Sequence, residues 1–461
     1  MNHRLPLALI TCLAAAGCTL GPDFRHPGAT GGSRWRESSA SRSARMPDEW
    51  WKLFGDSELN RLIQRALAVN NDISAAKSRV DTAQALVGVD RSRLFPQLSL
   101  AGGATESRSS AAVSITPKLE GQHYQAAFNL AYEPDIWGRN RRQIEASIAG
   151  ANASQGDLDA LRLGVAAETA RQFFLLRALD RQHLVVVETI RSRSETLDLQ
   201  QSKAAAGIAD ALTTSSARTQ LELARNDLAT VERQRGAAEH ALAVLCGARP
   251  SDFRMPTVTS LPRLPSIRPG LPAEVLRRRP DVRAAEDRLR SANALVGVAE
   301  TAFYPDFNLI GSGGFQSLNV GQFLNWENRA LSIGLNAAAP IFDAGANKSR
   351  KSAAIAQYQA ALAAYRQTIL IALREVEDSL SDLKALERSR AALEAALTSA
   401  QETNRLTRDR QAKGLSSYLE VVDADRTVLQ IRLSLASIEG QQRVSFATLA
   451  KALGGGWNSG K

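Results

Sequence analysis

Five histidines, three cysteines, one glycine-rich pentapeptide and a pair of carboxylates one helical turn apart are the groups in this 461-residue chain whose types could do chemistry. The histidines (His3, His26, His123, His183, His240) are scattered, and none stands in an HExxH or other paired metal spacing. The GSGGF string at Gly311 lies where the sequence alternates like a strand and lacks a phosphate-loop lysine. Glu420 and Asp423 would share one face of a helix, a spacing that alone describes a solvated surface. No nucleophile, base and orienting group come together, so the chain reads as no enzyme, with neither cofactor nor metal.

Charge excludes another class. The formal net charge of +10 falls to +9 without residues 1–17, whose only charge is Arg4. Arginines are interleaved with acids, as at Arg225, Asp227, Glu232 and Arg233, which describes solvated helix surface and no nucleic-acid stripe. Arg277 to Arg279 is the one run of three consecutive basic residues and is too short to argue more.

The cysteines divide by position. Arg4 precedes the apolar run Leu5 to Ala16, which is the size of a signal-peptide core and too short to span a bilayer. It ends in Ala15-Ala16-Gly17-Cys18, similar to a bacterial lipobox with Ala15 in place of the usual Leu. On that reading residues 1–17 are a signal peptide, Cys18 is the lipidated first residue, and 18–56 form a tether; plain secretion with cleavage nearby is the alternative. Thr19 is not the Asp that marks inner-membrane retention in such lipoproteins, which points to the outer membrane. Cys12 leaves with the signal, so Cys246 remains alone and no disulfide framework exists.

The elements that would position these groups come twice. Residues 75–100, AAKSRVDTAQALVGVDRSRLFPQLSL, return as AAEDRLRSANALVGVAETAFYPDFNL at 284–309, 209 positions later, with 11 of 26 identical. In both copies an Ala-rich amphipathic stretch runs to a proline, Pro96 or Pro305, beyond which the period changes from 3.6 to 2. Strands are expected at about 97–109 and 121–133, and at about 306–317 and 329–339. Tyr124, Phe128, Leu130 and Tyr132 fall on one face of the second, and Leu331, Ile333 and Leu335 on one face of the fourth. No later stretch approaches the ~20 apolar residues of a membrane helix, so a spanning element must be a β-barrel. Alternation alone also fits a small antiparallel sheet resting on helices. If the strands span a membrane, four are too few to close a barrel and several chains must pool them.

Beyond each strand pair come nearly 70 residues of helical spacing without proline, ~100 Å of helix at ~1.5 Å per residue. Gly207 and Gly414 stop them, and shorter helices return, giving hairpins at 139–246 and 344–453. Single helices precede the strands, near 57–94 and 273–303. The first repeat is 57–246, the second 281–454, and 455–461 is a tail. Seven prolines make 247–280 an extended connector. Two short helices end to end beside one long one is the economical packing.

Together these features make the chain resemble the TolC-like outer-membrane efflux channels, in particular the NodT-type lipoproteins. The matching strings are CTLGPDFRHP at 18, WWKLFGDSELNRLIQRALAVNNDI at 50, YEPDIWGRNRR at 132, LRRRPDVRAAEDRL at 276, PIFDAGANKSR at 340 and KALGGGW at 451. The resemblance implies a mainly α fold with a membrane β portion, built from a duplicated helix, strand-pair and long-helix-hairpin unit. It implies a homotrimer whose twelve strands form one barrel in outer-membrane lipid, continued by a long α-helical barrel across the periplasm. The partners implied are a periplasmic adaptor protein and an inner-membrane efflux pump, with this chain a passive exit duct for small molecules. It places Glu420 and Asp423 in a ring of acids at the periplasmic gate, and Gly207 and Gly414 in the turns that contact the adaptor. Ala206 and Lys413 depart from the valine often found there, and Asp210 stands before the first-copy turn without an equivalent pair. The alternatives are a channel for secreted proteins and a periplasmic adaptor; an adaptor would carry one hairpin, and this chain has two. Three methionines argue against a methionine-lined metal path, and the sequence names no substrate.

Overall fold

The computed structural model describes residues 19–28, 35–36, 46–108, 110, 120–208, 210–266 and 272–455. The signal peptide expected over residues 1–17, Cys18 and the end of the tail lie outside the described residues. The elements are α1 (Ser57–Val69), α2 (Asn71–Ser92), β1 (Gln97–Arg108), β2 (Glu120–Tyr132), α3 (Arg139–Ala205), α4 (Ala211–Leu245), α5 (Pro272–Arg278), α6 (Pro280–Thr301), β3 (Asp306–Ser317), β4 (Arg329–Ala338), α7 (Ala346–Ala412) and α8 (Tyr418–Ala452). The duplication is literal in length. α3 and α7 have 67 residues each, α4 and α8 35, α2 and α6 22, β1 and β3 12. No described helix is long and apolar enough to cross a membrane.

The described residues form two compact units. One holds the N-terminal segment up to Gly28 with Ser78–Gln155 and Ala284–Arg366. Its centre is a four-stranded antiparallel sheet in the order β1-β2-β3-β4. The segment after Cys18 is fastened here: Leu20 N–H donates to Trp137 O at 3.1 Å, and the buried Arg142 donates to Leu20 O, Gly21 O and the Asp23 carboxylate. Gly21 lies so close to Gly297 that a Cβ would sit 2.3 Å from its Cα. Asp135 caps the start of α3 by accepting from Asn140 N and Arg141 N.

The other unit holds the described residues of Ala29–Lys77, Gly156–Arg283 and Gln367–Lys461. Its core includes Phe54, Phe173, Phe174 and Phe446, with ring centroids 4.5–5.6 Å apart along their contacts. Gly440 lets α8 approach α3 closely, since a Cβ there would stand 2.5 Å from that of Ala178.

Two expectations are corrected here. The single helix expected over 57–94 is broken at Asn70, and that over 273–303 at Arg279, the same place in each copy. Asn70 accepts from Asp72 N and Ile73 N, capping α2, while its amide donates to Leu245 O at the end of α4. Arg279 donates to Ala452 O at the end of α8 and pairs with Asp281 and Glu375. Each break residue thus satisfies a helix-end carbonyl that would otherwise lack a partner. The connector expected to be extended over 247–280 is helical in its last part, because Pro272 and Pro280 stand at first helical positions, where no N–H is needed. Its earlier part is pinned. Buried Asp180 accepts from Arg177, Arg235 and Val258 N; Arg177 donates to Pro256 O, Arg235 to Met255 O, and Glu239 accepts from Met255 N.

Candidate functional site

In the sheet, register decides which residues share a face. Leu100 pairs with Phe128, Phe128 with Gly313, and Gly313 with Leu331. One face therefore carries Leu98, Leu100, Tyr124, Phe128, Leu130, Tyr132, Leu309, Phe315, Leu331, Ile333 and Leu335. Leu331 is 87% exposed and Ile333 77%. The other face is mostly small and polar, Ile310 excepted, with the row Ser99, Asn129, Ser312, Ser332 running across all four strands. The seven strand residues singled out from sequence all lie on the apolar face. The sequence missed the apolar residues at the two ends of the sheet. Phe95, Phe303, Ile341 and Phe342 flank one end and Trp326 the other, where Arg329 stacks 4.6 Å from its ring; all are exposed.

The hairpin turns belong to the other unit. Gly207 and Gly414 take φ +72° and +73°, the left-handed region where glycine avoids a steric cost. Ile208 N donates to Lys203 O and Leu415 N to Arg410 O, closing each helix end in the same way. Asp210 caps α4 by accepting from Thr213 N, and Ser417 stands at the corresponding place before α8. Four exposed apolar side chains crowd these turns, Ile208 and Leu212 in one copy, Leu415 and Leu419 in the other. An apolar residue directly after the turn glycine in both copies was the signal that could have found them.

The two acids differ in their surroundings. Glu420 accepts from Ser416 Oγ at 2.6 Å and Ser417 N at 3.1 Å, and with Ser417 completes a capping box. These bonds, the one from Ser416 foremost, hold its carboxyl below the usual range. The Asp423 side chain is 79% exposed and has Arg426 at 4.0 Å. Asp425, two residues further along, is engaged by Asn404 and by Arg408 at 2.7 and 2.8 Å.

Residues 62–248 and again 271–455 match the family described as outer membrane efflux protein. The chain belongs to this family. It is 31% identical over 460 residues to the outer membrane protein OprJ of Pseudomonas aeruginosa, covering 98% of this chain and 96% of that protein. It is 29% identical over 466 residues to the toluene efflux pump outer membrane protein TtgC of Pseudomonas putida, covering 99% and 96%. Among solved structures, the outer-membrane channel OprN superposes with a TM-score of 0.88 at 29% identity over 95% of this chain and all of that one. The outer membrane protein VceC of Vibrio cholerae gives 0.81 at 27%, over 89% and 99%. The protein is an efflux channel of the Gram-negative outer membrane, extending into the periplasm, a passive duct and not an enzyme. The adaptor alternative gives way to this membership, as does the small sheet at rest on helices.

Proposed function

We propose that three copies of this chain pool their strands into one twelve-stranded barrel, an exit duct for small molecules delivered by an inner-membrane pump through a periplasmic adaptor. The observation that carries this reading is the sheet itself, four strands with one apolar exposed face, one small polar face and two open edges. An open sheet cannot span lipid, because edge N–H and C=O groups would lack partners. The apolar face, with Tyr124, Phe128, Leu130, Tyr132, Leu331, Ile333 and Leu335, meets lipid, between the exposed Trp326 at one end and Phe95, Phe303 and Phe342 at the other. Cys18 carries a lipid anchor, and the fastening of Leu20 beside Trp137 supports an anchor held near the strand ends. Threefold symmetry gathers Asp423 and Glu420 into a cation-favouring constriction. The turns at Gly207 and Gly414, with Ile208, Leu212, Leu415 and Leu419, take the adaptor. That a relative is named for toluene efflux supports a small-molecule cargo over secreted protein. Mass measurement of the detergent-extracted outer-membrane protein is expected to give a homotrimer; a stable monomer would overturn the pooled barrel.

A further inference from the structure

The duplication contains a template for how one copy of the chain meets the next. From α2 to α6 and from β1 to β3 the repeats are offset by 209 residues, as Gln97 and Asp306 show, whereas α3 to α7 and α4 to α8 are offset by 207, as Arg139 and Ala346 show. The strand pairing requires the same change. Gln97 faces Ala131 and its counterpart Asp306 faces Ala338, so β2 and β4 correspond at 207. Inside one chain, β2 of the first copy pairs with β3 of the second, from Tyr124↔Ser317 to Tyr132↔Leu309. The unfilled junction, β4 against β1 of a neighbour, brings together the corresponding two strands, again antiparallel.

We infer that β4 pairs with β1 of the next copy in the register of the internal β2·β3 junction. This rests on the pooled-barrel reading. Translating each observed pair by its offset gives Leu331 opposite Arg108, Ile333 opposite Glu106, Asn336 opposite Gly103, Ala337 opposite Gly102 and Ala339 opposite Leu100 of the neighbour. Face matching follows from the construction, because translating a same-face pair by the repeat offsets gives a same-face pair, whereas a slip of one residue would turn every side chain to the wrong face. Here Leu331, Ile333 and Leu335 meet even-numbered β1 residues, which lie on the apolar face with Leu98 and Leu100. The junctions differ at one place. Gly314 approaches Ala126 O and Ala127 too closely for any Cβ, its counterpart is Thr105, and Gly334 stands opposite Thr105, so local spacing there is not copied.

The register fixes the barrel. A row starting at Leu100 passes Phe128, Gly313 and Leu331 and arrives at Arg108 of the neighbour, a stagger of eight residues per copy. Over three copies and twelve strands that stagger tilts the strands by about 55° from the axis, with a backbone radius of about 15 Å. A strand of 12 residues is then about 23 Å tall, close to the ~25 Å apolar band of outer-membrane barrels.

Cysteine pairs test the register in the full-length assembly after its mass in detergent is known. Directly opposed Cα atoms are about 5 Å apart and diagonal ones about 7–8 Å, beyond disulfide reach. Asn336→Cys with Gly103→Cys is expected to oxidise to covalent trimers on a non-reducing gel. The same cysteine at 336 with Ala101→Cys or Thr105→Cys should lose that band, as should each single variant. Ala337→Cys with Gly102→Cys repeats the in-register test on the other face if the first pair fails to assemble. Preferential cross-linking of a two-residue-shifted pair, or none from any pair in a trimer, would overturn the register. A monomeric mass would overturn the pooled barrel on which it stands.

Discussion

Asp423 and Glu420 carry the same charge three residues apart, yet their partners divide the work. Glu420 spends its oxygens on Ser416 and the Ser417 cap, whereas Asp423 projects into solvent. Asp423→Asn should therefore reduce cation preference and multivalent-cation block in planar bilayers more than Glu420→Gln does, because the Glu420 charge is already engaged by the Ser416 and Ser417 donors while Asp423 faces solvent. Equal loss from both would overturn this ranking of the two acids, and no loss from Asp423→Asn would remove Asp423 from the constriction. The Glu420 carboxyl is held low by its bonds, so the stability it lends the turn is complete above the ordinary carboxylate pKa and is lost as pH falls through its depressed value. Amide exchange at the turn should rise in that acid window in the native chain and stay flat in Glu420→Gln. The spacing of the pair was legible in the sequence; the capping box was not read from it, although Ser417 stands three before Glu420, and it is this box that ties one of the two acids to the turn.

At the scale of elements, the buried group around Asp180 holds the connector to its own hairpin. Asp180 is fully buried between Arg177 and Arg235, so Asp180→Ala leaves two arginines with less compensation and should cost about 3–5 kcal/mol, read by denaturant unfolding in detergent. Asp180→Asn should cost less, since it still accepts hydrogen bonds. The strands were legible because period-2 alternation is local, and the long helices because nothing in them breaks the 3.6 pattern. The interruptions at Asn70 and Arg279 were missed although each leaves a local sign, Asn70 being a capping type and Arg279 standing before Pro280, which disfavours helix there. What no local pattern shows is the carbonyl 175 or 173 residues away to which each side chain donates. The prolines misled for a related reason: a proline reads as a breaker until the residues after it are seen to start a helix.

For the whole molecule, the sequence implied that the strands must be shared if they span a membrane, but not how they meet, since pairing between copies leaves no local pattern. The lipid anchor proposed at Cys18 has its own test. Cys18→Ser should abolish labelling by a fatty-acid probe while the trimer still forms, because the barrel itself holds the membrane; persistent labelling would remove Cys18 from that role. The pinned connector has one more consequence. Asp180 and Glu239 grip residues 255–258 from the first copy, and Arg443 donates to Pro262 O from the second, leaving Thr259 and Ser260 exposed between the two grips. A nick there would leave each half-chain with its own fastening. Fragments 1–259 and 260–461, co-expressed with a signal on each, should assemble into a ring of six half-chains that conducts like the intact duct.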